Sequence, residues 1–226
     1  MAYPGSISGV WWEATAIVRR YPSATIIPGV ALGAIAEVPH YFVEEHPLMD
    51  NALTYVTAAF AYFLYLAYAE EIAVEYERGV DRITLRGMLG ELQDAIPYIS
   101  RVLAAGLVTL TVASVATGLL LIPGAWLYTR WSLSTPVIRR ENLGPVDALK
   151  RSNVLVRSRF WFILATATLA FVLEEALVHA GALGGYLVSG SHTWGEWIGG
   201  SIVAALVIPL AAFTTSLAYE RLAQST

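Results

Sequence analysis

Long apolar runs, separated by short polar stretches, dominate the chain. The run "ALTYVTAAFAYFLYLAYA" at residues 52–69 and the run at residues 102–122 contain no charged side chain. An α-helix needs about 20 apolar residues to cross the hydrocarbon core of a membrane, and these runs have about that length. Six segments are predicted to be membrane-embedded, at residues 23–43, 52–69, 102–122, 125–138, 160–180 and 198–219. The pattern therefore predicts an all-α fold, a polytopic integral membrane helical bundle with about six transmembrane segments.

Segment 125–138 differs from the others because it is short, follows the turn "IPG" and contains Arg130. It is predicted to be a tilted or half-buried helix that pairs tightly with the span before it. Pro209 in segment 198–219 is read as a tolerated kink, since neighbouring groups in a membrane bundle can satisfy the backbone that a proline frees.

Two amphipathic helices are predicted outside the spans. Residues 6–20 combine two tryptophans with two arginines, which is typical of an interfacial helix among lipid headgroups, although an ordinary frayed lead-in is the alternative. Residues 145–159 begin at a Gly-Pro pair suited to a helix start, and Leu149, Val156 and Phe160 fall on one stripe. The second helix is predicted to lie on the inner leaflet.

The composition supports a membrane protein. The chain is 56% hydrophobic and only 14% charged, against roughly 25% charged residues in soluble domains. Little sequence remains outside the apolar runs, so residues 1–226 are predicted to form a single membrane domain without a separate catalytic domain. No binding to nucleic acid is expected.

Charge asymmetry predicts the orientation. With both termini in the cytoplasm, six crossings place all of the 14 Lys and Arg residues except Arg130 on one side. By the positive-inside rule, this predicts a multi-pass protein of the cell membrane with both termini cytoplasmic. Glu70, Glu71 and Glu75, at the inner end of segment 52–69, are predicted to form a solvated acidic face beside surface arginines.

Positive charge is densest around the predicted inner helix. Cations at that depth attract anionic headgroups with about 1 kcal/mol each, which predicts an anionic phospholipid site there. The candidate lipid-binding residues are Arg139, Arg140, Lys150, Arg151 and Arg157. The alternative is that these residues only keep the loop from crossing the membrane.

The same region carries a resemblance. The stretches "LLLIPGAWLYTRWSLSTPVI" and "ENLGPVDALKRSNVLVRSRFW", at about residues 122–161, resemble small multi-pass prokaryotic membrane proteins that are similar to the membrane region beside some glycerophosphodiester phosphodiesterases. The resemblance implies a helical membrane fold and no particular activity. These residues include no soluble phosphodiesterase domain, so hydrolysis of glycerophosphodiesters is not carried over.

Three ionisable residues are predicted to lie within the membrane, namely Glu37, Arg130 and Glu174. Unpaired, Glu37 and Arg130 would each cost on the order of 3 kcal/mol, so a partner is expected for each. Arg130 could pair with Glu37 or with Glu174, and such a pair fits either a structural bridge or a polar path.

Histidines and carboxylates share the predicted outer face. His40 and Glu44 are four residues apart, as are Glu175 and His179, so each pair lies on one helix face within reach of a divalent cation such as zinc. The alternative is ordinary solvation at helix ends, and no other cofactor is expected.

Three function classes follow. The favoured one is a non-enzymatic integral membrane protein that binds membrane lipid, or a partner membrane protein or second copy, through the basic inner helix. The alternatives are a small transporter or channel that uses Glu37 and Arg130, and an intramembrane metal-dependent hydrolase.

Overall fold

The computed structural model describes residues 6–36, 47–119, 121–191 and 194–224. Most of these residues are helical, with no strand among them, which confirms the all-α prediction for the described part of the chain. The helices are α1 (Ile7–Arg20), α2 (Pro22–Ala36), α3 (Pro47–Glu77), α4 (Leu85–Leu119), α5 (Leu121–Trp131), α6 (Ser134–Glu141), α7 (Pro145–Arg157), α8 (Phe160–Ile163), α9 (Leu169–Ser189) and α10 (Trp194–Ala223). A π-helical turn at Leu164–Thr168 joins α8 to α9.

Three helices are long and apolar enough to cross a membrane, over Arg86–Ala116, Phe160–Ser189 and Trp194–Ala223. They agree with the predicted segments 102–122, 160–180 and 198–219, and they support the membrane assignment. Segment 52–69 lies within the longer helix α3. The first predicted segment is represented by the shorter apolar helix α2, and its residues 37–43 lie outside the described residues. The count of six crossings stays a prediction.

Segment 125–138 is not one helix, contrary to the sequence prediction. It is divided between α5 and α6, which are separated at Ser132 and Leu133. Pro136 explains the division, because a proline has no N–H and is accommodated only where that group needs no intrahelical partner, in the first turn of a helix. Pro136 occupies the first turn of α6, and the residues from Ser134 to Ile138 are buried.

Glycines allow α9 and α10 to approach closely. Gly181 and Gly185 on α9 face Gly195 and Gly199 on α10, so each helix contributes a small-xxx-small pair of the kind that lets membrane helices touch along their backbones. A Cβ atom added to Gly185 would lie 1.8 Å from the carbonyl oxygen of Gly195. Only glycine fits there without a shift of the helices.

The N-terminal helix α1 packs against the rest of the bundle. Val10, Ala14 and Ile17 are fully buried on one face, whereas Trp12 is 68% exposed on the other. The buried face contacts α10. The amphipathic pattern seen in the sequence is thus used at least partly for packing on the protein, while contact of the other face with lipid headgroups stays a prediction.

Candidate functional site

Charged residues from three helices meet at one end of the bundle. Glu70 and Glu71 follow the apolar run of α3, Arg139 and Arg140 end α6, and Glu220 lies near the end of α10. Arginines in the last turn of α6 also complement the negative end of that helix dipole. Together with Glu77, these residues form a set that we call the ionic cluster.

Arg140 is the centre of the ionic cluster. Its Nη1 lies 2.9 Å from Glu220 Oε1, and its Nη2 lies 2.6 Å from Glu77 Oε1. Its Nε lies 3.4 Å from Glu70 Oε2, which also accepts a 3.1 Å hydrogen bond from the Ser216 hydroxyl. One guanidinium therefore faces three carboxylates, which leaves two negative charges in excess when all are ionised.

Arg139 pairs with a different carboxylate. Its Nε and Nη2 donate to the two oxygens of Glu71, at 2.5 and 2.9 Å, in the bidentate arrangement that gives strong ion pairs. The Tyr98 hydroxyl also hydrogen-bonds to Glu71 and lies 2.9 Å from the carbonyl oxygen of Ala67. The hydrogen bonds to Glu71 raise the pKa of Arg139, so this side chain stays charged at every physiological pH.

The acidic face predicted from the sequence is only partly solvated. Glu70 and Glu71 are each 3% exposed and pair with α6, so their assignment to the surface was wrong. For Glu75 the predicted pairing with Arg78 is confirmed, at 2.5 Å, although the Glu75 side chain is only 17% exposed. One sequence pattern indicates these buried pairs. Glu70 and Glu71 come directly after the apolar segment 52–69, and Arg139 and Arg140 come directly after segment 125–138.

The five candidate lipid-binding residues fall into two groups. Arg139 and Arg140 belong to the ionic cluster, and Arg151 lies 2.9 Å from Glu141. Lys150 and Arg157 are exposed on α7, and Lys150 makes a 3.2 Å contact with Asp147, three residues before it in the same helix.

The predicted intramembrane residues do not pair with one another in the part of the chain that the structure describes. Arg130 Nη1 donates to Asn153 Oδ1 at 2.7 Å, and its guanidinium lies 4.1 Å from the ring centroid of Trp126. Glu174 is 6% exposed, and its Oε2 has no hydrogen-bond partner among the described residues. The predicted bridge between Arg130 and Glu174 is therefore absent between these described side chains, and Glu37 lies outside the described residues.

A small cavity lies between the ionic cluster and the middle of the bundle. Most of the residues that line it carry a hydroxyl group, namely Tyr62, Thr109, Tyr128, Ser132, Ser134, Thr135 and Thr215. It has room for about one water molecule, which needs several polar partners in a protein interior. The lining satisfies that requirement.

The predicted metal ligands are described only in part. Glu175 and His179 are exposed, and His179 Nδ1 lies 2.8 Å from the carbonyl oxygen of Glu175 in the preceding turn. His40 and Glu44 lie outside the described residues. No group of three potential ligands occurs among the residues whose placement is described, so a zinc site stays a prediction.

No protein-family model, no curated protein and no solved structure matches this chain. The resemblance of residues 122–161 to small prokaryotic membrane proteins therefore stays a prediction.

Proposed function

We propose that the chain is a non-enzymatic integral membrane protein that binds anionic phospholipid through the exposed face of α7. Val146, Lys150, Val154 and Arg157 follow one another at intervals of four, four and three residues along this helix. Such spacing places them on one helix face. The face alternates apolar and cationic side chains, as helices at the boundary between headgroups and acyl chains do.

Exposure supports this assignment. Val146 and Val154 are each 62% exposed, and the Lys150 side chain is 72% exposed. The contact between Lys150 and Asp147 is a surface pair, which is worth little and is easily exchanged for a phosphate. Trp161, just beyond α7, is 77% exposed at the start of the apolar stretch Phe160–Ser189, where an interfacial aromatic residue is expected.

The opposite face of α7 fixes the helix to the bundle. Leu149, Leu155 and Val156 are buried, and the Ser152 hydroxyl donates a 2.8 Å hydrogen bond to the carbonyl oxygen of Arg130. The exposed cations are thus presented on a rigid element. Arg139, Arg140 and Arg151 already have carboxylate partners, so the proposed headgroup contacts come from Lys150 and Arg157, with the exposed Arg159 next to them.

The test is a combined substitution of Lys150→Gln, Arg157→Gln and Arg159→Gln. At about 1 kcal/mol for each cation, the variant should bind phosphatidylglycerol roughly 100-fold more weakly than the parent. Binding is measured by native mass spectrometry during titration with phosphatidylglycerol, with phosphatidylcholine as the neutral comparison.

The matched control removes three cations outside α7, by Arg78→Gln, Arg82→Gln and Arg86→Gln. Its phosphatidylglycerol affinity should stay close to that of the parent. Equal lipid binding by the parent and the α7 variant would refute the proposal, as would an equal loss in both variants.

A further inference from the structure

Lipid binding at α7 does not account for the buried polar groups inside the bundle. Glu174 on α9 is 6% exposed, and its Oε2 lacks a hydrogen-bond partner among the described residues. A buried carboxylate without a partner carries a large desolvation cost, so its presence calls for an explanation. Glu175, the next residue, is the contrasting case, because its side chain is 51% exposed.

Two phenol groups connect Glu174 with the cavity. Tyr62 on α3 and Tyr128 on α5 both contact Phe171 on α9, at ring-centroid distances of 5.7 and 4.7 Å, and Phe171 lies three residues before Glu174 on the same side of that helix. Both rings also line the water-sized cavity.

From the cavity, the polar groups continue to the ionic cluster. Leu66 and Thr135 line the cavity, and the residues one helical turn further on are Glu70 and Arg139. On α10, Thr215 lines the cavity and the neighbouring Ser216 donates to Glu70. The eight residues from Tyr62 to Glu70 correspond to about 12 Å along α3, a distance that a few hydroxyls and a water molecule can bridge.

The helix that carries Glu174 is irregular beside this route. The π-helical turn Leu164–Thr168 ends just before α9, and the hydroxyls of Thr168 and Thr129 lie 2.8 Å apart. Single π-helical turns inside α-helices occur frequently at functional sites. Here the turn brings a further hydroxyl pair into the bundle interior.

We propose that these groups form a proton path between Glu174 and the ionic cluster. A proton on the Glu174 carboxyl passes to the Tyr128 hydroxyl, which releases its own proton to water in the cavity. That water delivers a proton to Glu70, and the phenol is left neutral again. With three carboxylates around Arg140, the cluster can accept a proton and keep a net negative charge.

The size of the cavity selects the proton over other ligands. A space for about one water molecule cannot hold a hydrated metal ion or an organic solute. Hydroxyls can both accept and donate a hydrogen bond, which a relay of protons requires.

Proton flux into liposomes that contain a trapped pH-sensitive dye tests the path. Glu174→Gln should reduce the flux by roughly 100-fold, the order by which positioned acid–base groups contribute to proton transfer. Glu175→Gln, which removes the neighbouring exposed carboxylate, should leave the flux near that of the parent. Flux through the parent no greater than through empty liposomes, or equal flux through Glu174→Gln and the parent, would overturn the path.

A second variant guards against misfolding of Glu174→Gln. Tyr128→Phe removes only a hydroxyl, so it should fold like the parent, with the same elution volume and circular dichroism, and should still lose most of the flux. Unchanged flux through Tyr128→Phe would also exclude the path. The α7 variant described above should conduct protons normally, and Glu174→Gln should bind phosphatidylglycerol normally, so failure of one proposal is distinct from failure of the other.

Discussion

Replacement of Arg140 by methionine tests whether the ionic cluster stabilises the fold. The Arg140 side chain is 18% exposed and faces Glu70, Glu77 and Glu220, whose side chains are 3%, 37% and 16% exposed. Methionine keeps much of the side-chain volume but leaves the carboxylates without their cation. Removal of one partner from a buried ion pair typically costs about 3–5 kcal/mol.

The expected loss for Arg140→Met is therefore about 3–5 kcal/mol in the free energy of unfolding, mostly from Glu70 and Glu220. Glu77 adds little because solvent screens a side chain that is more than a third exposed. Unfolding is followed by circular dichroism during titration of detergent-solubilised protein with sodium dodecyl sulfate. The matched control is Arg78→Met, which breaks a surface pair with Glu75 and should cost at most about 1 kcal/mol.

The double variant Arg140→Met, Glu70→Gln separates electrostatics from packing. Neutralising the most buried carboxylate should recover part of the loss, because the remaining cost of Arg140→Met comes from uncompensated charge. If Arg140→Met unfolds like Arg78→Met, or if Glu70→Gln makes it still less stable, then the cluster does not stabilise the fold in the way argued.

Three further predictions concern packing, pH and topology. Gly185→Ala should destabilise the contact of α9 with α10 by about 1–3 kcal/mol through overpacking. Gly184→Ala should not, because there is open space around Gly184. Equal unfolding curves for the two variants would contradict this prediction. Burial alone would raise the pKa of Glu77, but the hydrogen bonds to Arg140, together with contact with Glu220 and the positive charges of Arg140 and Arg78, hold that pKa below its ordinary value. The ionised Glu77 thus stabilises the fold above about pH 4.3, and this contribution disappears as pH falls through the lowered pKa; a pH series of unfolding midpoints should show the step in the parent and not in Glu77→Gln. Since the chain has no cysteine, single cysteines at positions 150 and 48 can be labelled with an impermeant reagent, and labelling of position 150 but not 48 in intact cells would reverse the predicted orientation.

Hydropathy predicts the helices of this chain better than it predicts their contacts. The three long apolar helices agree with predicted segments because burial in lipid or protein demands the same apolar composition along a helix. Hydropathy does not predict the division between α5 and α6, because Pro136 stands within one apolar run. The missing N–H of Pro136 is the feature that favours a new helix start there.

The ionic cluster could be predicted only in part. Glu70 and Arg140 are separated by 70 residues. No local sequence pattern predicts which helices pack against each other. Placement of charges on the inner side did identify that Glu70, Glu71, Arg139 and Arg140 share one end, but not that α6 covers α3. The sequence indicates Glu174 as an intramembrane carboxylate and a possible partner for Arg130, whereas Tyr62 and Tyr128 come from two other helices and carry no sequence signal of their own.

Contacts of the ionic cluster also define how the chain travels through the bundle. Tyr98 on α4 and Arg139 on α6 both contact Glu71. The chain therefore leads away from the ionic cluster along α4 and returns to the cluster by residue 139. The outward path from Tyr98 to Leu119 is about 32 Å, and the return from Leu121 to Arg139 is at most about 27 Å. Together, α5 and α6 therefore cover nearly the height of the part of α4 that follows Tyr98, although neither is long enough alone.

Ion pairs also place α10 and α1 beside the ionic cluster. Arg140 contacts Glu220, so the stretch Phe160–Ser189 leads away from the cluster and α10 returns to it. Arg221, the next residue, pairs with Glu13 on α1, which holds the first and last helices at one end of the bundle. This arrangement supports the prediction that both termini share a side of the membrane, because moving either one across would break the Glu13–Arg221 pair and expose the buried face of α1.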